Sequence, residues 1–191
     1  MEPCIQIIEK PDWVSWDSIH DVLWTSHTEN RSNGLKMSYP SLSGGAIQEK
    51  IGESGKILVA LDNDRLVGTA ALKTKQTTLW FGQHQFGYCC FASVLPEYNG
   101  LGIYKRMCEE REKMARNMGI ELMLFDTHER NERVISINQM SGYKKVDMRF
   151  YKDHYNVVMV KWLNGCPYSD YQCKIRFMLR KIRLKVCKLF V

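Results

Sequence analysis

Hydrophobic residues fall along this chain in blocks whose period changes several times, and the changes set out the elements in order. An apolar run over residues 4–8 reads as a short strand ending near Pro11. Behind the N-cap candidates Ser15 and Asp17, residues Trp16, Ile19, His20, Leu23 and Trp24 recur at helical spacing and predict a first helix. Residues 30–45 are turn chemistry, with Ser32-Asn33-Gly34 and Ser41-Leu42-Ser43-Gly44-Gly45, so a loop is expected there, with a short second helix over 46–51. Two apolar runs, 56–61 and 65–73, flank the polar Asp62-Asn63-Asp64 and predict a hairpin. Residues 77–81 read as an extension, and Gly82-Gln83-His84-Gln85 as a turn.

One stretch organises the rest of the chain. Residues 86–94 are uncharged and rich in aromatic and β-favouring types, which suits a strand buried on both faces, and Pro96 stops it. From Ile103, the residues Ile103, Met107, Met114 and Met118 recur at helical spacing while charged residues fill the other side, and Gly119 supplies a stop. A continuous apolar run over 120–126 then reads as an interior strand, completing a βαβ unit. Asn131 opens a further helix holding Val134, Ile135, Ile137 and Met140, closed by Gly142. Runs 146–151 and 156–162 alternate as a last hairpin.

Between the organising strand and its helix lies Asn99-Gly100-Leu101-Gly102-Ile103-Tyr104, where two glycines permit a tight turn beside the unpartnered N–H groups of a helix start, a cradle for an anion. The run Val94-Leu95-Pro96-Glu97-Tyr98-Asn99-Gly100-Leu101-Gly102-Ile103 resembles the acetyl-CoA pyrophosphate loop of the GNAT superfamily of N-acetyltransferases, usually written V-x-P-x-[YF]-[RQ]-x-x-G-x-[GA]. Asn99 stands where Arg or Gln is usual and Tyr104 where the last Gly or Ala is. Further on, Asn131-x-x-Val134-Ile135-x-Ile137-Asn138-x-x-x-Gly142-Tyr143 resembles the second signature of the same superfamily, N-x-x-A-x-x-L-Y-x-x-x-G-F. The two occur in the family's order, and the likeness covers roughly residues 4–163.

The resemblance implies an α/β fold: a mixed, mostly antiparallel twisted sheet with a central βαβ unit and helices on both faces, here followed by a C-terminal amphipathic helix. It implies one acyltransferase domain over 1–164, with 165–191 a linker and that helix. It implies acetyl-CoA as cosubstrate. Strand 86–94 would splay from strand 120–126 and offer the backbone of Ala92, Ser93 and Val94 to the pantetheine arm, with an N–H near Val94 polarising the thioester. Asn99, Gly100, Leu101, Gly102, Ile103, Tyr104 and Lys105 would hold the pyrophosphate. Asn131 would lie near the pantetheine arm or cap its helix, and Trp13, Tyr39 and the early loop would face the acceptor.

Acid and base are less plainly written. The family's usual base positions fall on Tyr88 and Cys90, whose ordinary pKa values of about 10 and about 8.5 suit neither to that task. The usual tyrosine acid is replaced by Asn138, which donates a hydrogen bond but gives up no proton. His128 and His84 are the other candidates, and Cys90 as a nucleophile is a third option. The implied activity is acetyl transfer to a small-molecule amine; an amino sugar or lipid-linked intermediate would fit as acceptor, a suggestion that rests on the basic end of the chain alone. The rival is a CoA-binding scaffold with weak or lost chemistry.

At 191 residues and 45% hydrophobic the chain can bury one sizeable core. Seven cysteines form no C-x-x-C pair, and we read them as reduced thiols of a cytoplasmic protein. No metal-ligand cluster is visible. Neither a signal peptide nor a membrane span is expected. The net charge of +6 is carried by the end of the chain: Lys174, Arg176, Arg180, Lys181, Arg183, Lys185 and Lys188 follow the last acid, Asp170, and without these seven the 27 basic residues become 20 against 21 acidic. Ile175, Met178, Leu179, Ile182, Val186, Leu189 and Phe190 share one side of a helix drawn through this segment, while Phe177 and Leu184 break the other side. Three readings stay open: packing of the stripe on the body or on a second copy through 174–191, peripheral contact with the inner face of a membrane, and nucleic-acid binding. The last lacks any accompanying motif and is set aside.

Overall fold

The computed structural model describes residues 3–35, 42–151 and 153–188, the side chains of 185–188 excepted. Tyr39, Leu189, Phe190 and the side chain of Val186 therefore lie outside the described residues. Among the described residues, seven strands form a mixed, mostly antiparallel sheet of order β1-β2-β3-β4-β5-β7-β6, with six α-helices. The strands are β1 (Ile5–Glu9), β2 (Lys56–Asp62), β3 (Arg65–Leu79), β4 (Gly82–Val94), β5 (Leu122–His128), β6 (Lys144–Tyr151) and β7 (His154–Trp162). The helices are α1 (Trp16–Ser26), α2 (Thr28–Ser32), α3 (Gly44–Ile51), α4 (Ile103–Asn117), α5 (Glu132–Met140) and α6 (Asp170–Lys188). Two compact units make up the chain: residues 1–74 with 88–119, and residues 75–87 with 120–191.

In the first unit β2 lies between β1 and β3. It pairs antiparallel with β1 from Ile5↔Asp62 to Glu9↔Leu58, and with β3 from Lys56↔Leu72 to Asp62↔Arg65. Its Ile57, Val59 and Leu61 pack with Val14, Ile19, Leu23, Ile47 and Ile51 of the α1 and α3 region, while Ala60 packs with Ile103 and Met107 of α4. A strand with apolar neighbours on both faces must itself be apolar where they meet it, as β2 is from Ile57 to Leu61. Ser15 caps α1, its hydroxyl accepting the Ser18 N–H at 3.0 Å, and Ser43 caps α3 in the same way. Trp24 does not join the buried stripe; it is 46% exposed, with the Arg31 guanidinium 3.8 Å above its ring.

Three sequence expectations change. The segment 82–85 is not a turn but the start of β4, because the β3–β4 hairpin is longer than the pattern suggests and turns at Trp80 and Phe81. Part of the predicted loop after residue 30 begins as the one-turn helix α2. The buried side of α4 is Ile103, Met107, Cys108, Arg111 and Ala115, so Met118 is exposed and a charged residue, Arg111, is buried.

In the second unit β7 lies between β5 and β6, paired antiparallel with each. The hairpin tip of β3 and β4 contributes Trp80 and Phe81 to an aromatic cluster with Trp162 and Tyr168, ring centroids 4.7–5.9 Å apart. Helix α6 docks beside β6, and the side it uses is not the predicted stripe. Cys173 is buried, Phe177 lies under Lys145, Arg180 Nε donates to Asp147 Oδ1 at 2.9 Å, and the Tyr155 hydroxyl donates to the Leu184 carbonyl. Lys144 pairs with Asp170 at 2.7 Å at the helix start. The residues that seemed to break the polar face are thus the ones that meet the body, a choice made by the acid at Asp147 and the aromatic floor.

Helix α5 supplies a test. Ile135 is 5% exposed whereas Met140, expected inside, is 79% exposed. Ile135→Ala should destabilise by about 2–5 kcal/mol and Met140→Ala by about 0.5 kcal/mol or less, read from urea unfolding midpoints; similar costs would refute this placement of the helix.

Candidate active site

Strand β4 carries one backbone feature that local propensity disfavours. Phe91 adopts a left-handed conformation, φ 50°, in the middle of the strand. For an aromatic residue that costs on the order of 1–3 kcal/mol, and it persists only where the surroundings demand it. Here the Phe91 ring is buried in the cluster of Ile19, Leu23, Ile47 and Val59. Left-handed residues within strands mark bulges, which re-aim the next few residues. In β4 those are Ala92, Ser93 and Val94, the end of the strand.

Beyond Val94 the chain is tied down at each step before it reaches the glycines. The Leu95 N–H donates to the Val67 carbonyl at 2.9 Å, and Pro96–Tyr98 form a single 3-10 turn. The Tyr98 hydroxyl donates to Asp62 Oδ2 at 2.9 Å, which raises its pKa, and Arg65 lies over the same ring while holding Glu97 at 2.6 Å. Gly100 and Gly102 then take φ 84° and 71°, a region that suits glycine, and a Cβ built on either meets nothing within 4 Å. Gly102 is the N-cap of α4 with no side chain capping it. The first N–H groups of an α-helix have no partner within the helix, and at Ile103 and Lys105 they belong to a turn whose cap position is open to solvent. Lys105 is 77% exposed, its ammonium 3.9 Å from Glu109. Asn99 and Leu101 are exposed and Tyr104 is half-buried. This arrangement receives an anion with several oxygens: backbone donors, the positive end of a helix dipole and a mobile cation.

A residue that the sequence pattern did not single out stands behind β4. His27, 7% exposed, follows α1, with its Nε2 2.8 Å from Ser93 Oγ and its Nδ1 2.9 Å from Asn30 Nδ2. An amide nitrogen only donates, so Nδ1 accepts and the proton resides on Nε2, from which it is donated to Ser93. Burial, aided by the positive charge of Arg31, lowers the His27 pKa to about 4. The imidazole is therefore neutral near pH 7, and Ser93 keeps its own hydroxyl proton for another acceptor. A signal for it exists in the spacing: Ile19, Leu23 and His27 lie four apart on the buried side of α1.

The remaining candidates sort by unit. Tyr88 and Cys90 are half-buried, Cys90 packed against the α1 and α3 cluster, both in the first unit with the loop. His128, Asn131 and Asn138 belong to the second. His128 is not past β5 but its last residue; it stacks on His154 at 4.4 Å, and its Nδ1 accepts the Arg130 N–H at 3.1 Å, which puts its proton on Nε2. Burial and then His154 hold its pKa below the usual value. Asn131 occupies the N-cap position of α5 without capping it; its Nδ2 donates to Thr127 Oγ1 at 3.1 Å. Asn138 is buried, its amide donating to the Val134 carbonyl at 2.8 Å. His84 is half-buried, its Nε2 3.2 Å from the Phe81 carbonyl. Trp13 is 60% exposed.

Known proteins resemble this chain in sequence and in fold. N-alpha-acetyltransferase 30 of Schizosaccharomyces pombe is 29% identical over 101 residues, 51% of this chain; the match spans 63% of that relative's length. The PaiA N-acetyltransferase of Thermoplasma acidophilum, solved in complex with coenzyme A, superposes with TM-score 0.61 at 19% identity, covering 83% of this chain and 98% of the other. A GNAT family acetyltransferase of Elizabethkingia anophelis with acetyl-CoA bound gives 0.60 at 12% identity, with coverage of 83% and 98%. At such identities the structures share the fold. Residues 16–143 match the acetyltransferase (GNAT) family, and the chain belongs to it.

Proposed function

We propose that this protein transfers an acetyl group from acetyl-CoA to the amine of a small molecule. The observation that carries the reading is the loop from Leu95 to Gly102, whose two left-handed glycines open the start of α4, within a chain of the acetyltransferase family. The N-acetyltransferase named among the relatives supports the reaction class, and the two neighbours solved with coenzyme A or acetyl-CoA support the cosubstrate.

Acetyl-CoA supplies an activated thioester. Gly100 to Lys105 hold its pyrophosphate through backbone N–H groups and the Lys105 ammonium. The end of β4, at Ala92 and Val94, takes the pantetheine arm, and an N–H near Val94 polarises the carbonyl that the amine attacks. Ser93 and the neutral His27 hold that segment in register after the left-handed Phe91, so His27 is a positioning residue rather than the base. A pKa of about 4 makes it a poor proton acceptor from an ammonium, so water takes the proton before attack; the amide C–N bond then replaces the thioester C–S bond, and solvent protonates the departing thiolate. An amino sugar or lipid-linked amine is the acceptor class that the basic C-terminal helix favours.

Calorimetric titration tests the cosubstrate site. Gly102→Trp fills the open space at φ 71° and should weaken acetyl-CoA binding at least about tenfold, while Lys105→Ala, an exposed change, should weaken it about three- to tenfold. Unchanged affinity in both would sink the reading; tight binding with no turnover on any amine would favour the scaffold.

His27 makes a separate prediction. Its folded pKa lies below its unfolded value of about 6.5, so the unfolded state binds more protons between the two. The stability it contributes is complete above about pH 6.5 and is lost as pH falls towards 4, about 3 kcal/mol over that window. Urea unfolding of His27→Gln should show a shallower decline over that range than the wild type. The same variant should lower kcat about ten- to a hundredfold with little change in KM for acetyl-CoA. Parallel stability curves and an unaltered kcat would remove His27 from the site.

A further inference from the structure

Helix α6 has two apolar sides, and the fold consumes one. Cys173, Phe177, Arg180 and Leu184 share the side that faces the second unit's sheet, through the contacts already described. At about 100° per residue, Met178, Leu179 and Ile182 fall on the opposite side, with Ile175 beside them. Those three are 57%, 55% and 53% exposed, a contiguous ridge rather than scattered surface residues. Lys174 and Lys181 border the ridge on one flank and Arg183 on the other, all three exposed, while Arg176 lies over the Trp80 ring of the body. No acidic residue follows Asp170 in α6.

We infer that this outer face of α6 docks the protein on an anionic bilayer surface, lying in the plane of the interface. An apolar ridge between two cationic flanks is what that position requires: the ridge enters the acyl boundary while the lysine and arginine stems reach outward to the headgroups. No helix among the described residues is long and apolar enough to cross a membrane, so the contact is peripheral. Charge decides against a second copy as the occupant. A two-fold contact presents the same patch from both sides, setting Lys174, Lys181 and Arg183 against their own copies. It decides against nucleic acid as well, because the middle of the patch is apolar rather than basic. Arg180, already committed to Asp147, plays no part in the outer face. The docking surface stands independently of acetyl transfer; only its bearing on a lipid-linked acceptor rests on that reading.

Sedimentation of the full chain with vesicles tests it, using phosphatidylcholine alone and phosphatidylcholine with a one-third share of phosphatidylglycerol. The wild type should pellet with the anionic vesicles at least about tenfold more than with the neutral ones, and lose most of that at about 1 M salt. Met178→Ser, Leu179→Ser and Ile182→Ser combined should abolish binding; Lys174→Gln, Lys181→Gln and Arg183→Gln combined should reduce it about tenfold. Unchanged near-UV circular dichroism and acetyl-CoA affinity of both variants should show that the body is intact, and a single-site Met178→Ser variant covers the event that either fails to fold. Absence of pelleting, equal pelleting with neutral vesicles, or ridge variants that bind like the wild type would overturn the inference, as would a dimer of the wild type in solution that the ridge variant dissolves.

Discussion

The end of β4 depends on a neutral imidazole. His27 closes α1 in the interior of the first unit and gives its one proton to Ser93, so that a strand interrupted by the left-handed Phe91 still arrives at Val94 in a defined place. Neither half would hold alone. The apolar cluster around Phe91 supplies the force that keeps a disfavoured backbone, but it is non-directional; the hydrogen bond is directional, but on its own it contributes only about 1 kcal/mol. Together they set where the chain leaves the sheet and begins the turn to α4.

From that point the structure relaxes its grip by degrees. Leu95 is still bound to β3, and Tyr98 and Glu97 are held by Asp62 and Arg65 at the β2–β3 turn. Gly100 and Gly102 then stand in open space, and no side chain caps α4 at Gly102. A rigid approach followed by a bare cradle suits a ligand whose phosphates are gripped by backbone and whose reactive end lies along the preceding strand. Burial that makes His27 a reliable donor also lowers its basicity, so this imidazole cannot serve both as donor and as base.

The second unit solves a different problem with similar means. Its sheet of β5, β7 and β6 and the aromatic tip of the β3–β4 hairpin give α6 a floor, and Asp147 and Lys144 choose which side of the helix lies down. Because α6 has apolar residues on two sides, docking one leaves the other outward, between rows of cations. A helix with a single apolar stripe would have been consumed by the body.

Much of the fold was legible locally. Alternation marked the β2–β3 and β6–β7 hairpins, glycine and proline marked the turn after β4, Gly119 ended α4, and two motifs at family spacing pointed to the family and its fold. Such features rest on neighbours within a few residues, which a linear reading contains. What the tertiary structure alone decided are matters of contact between distant segments. His27 pairs with Ser93 across 66 positions, Arg111 is buried where a charge was expected at the surface, Met140 is exposed at the end of an apolar pattern, and α6 turns its broken side to the body. Periodicity says that a helix has an apolar side; when it has two, or when a polar residue interrupts one, only the partner surface determines which atoms leave water, because burial energy belongs to the pair and not to the segment.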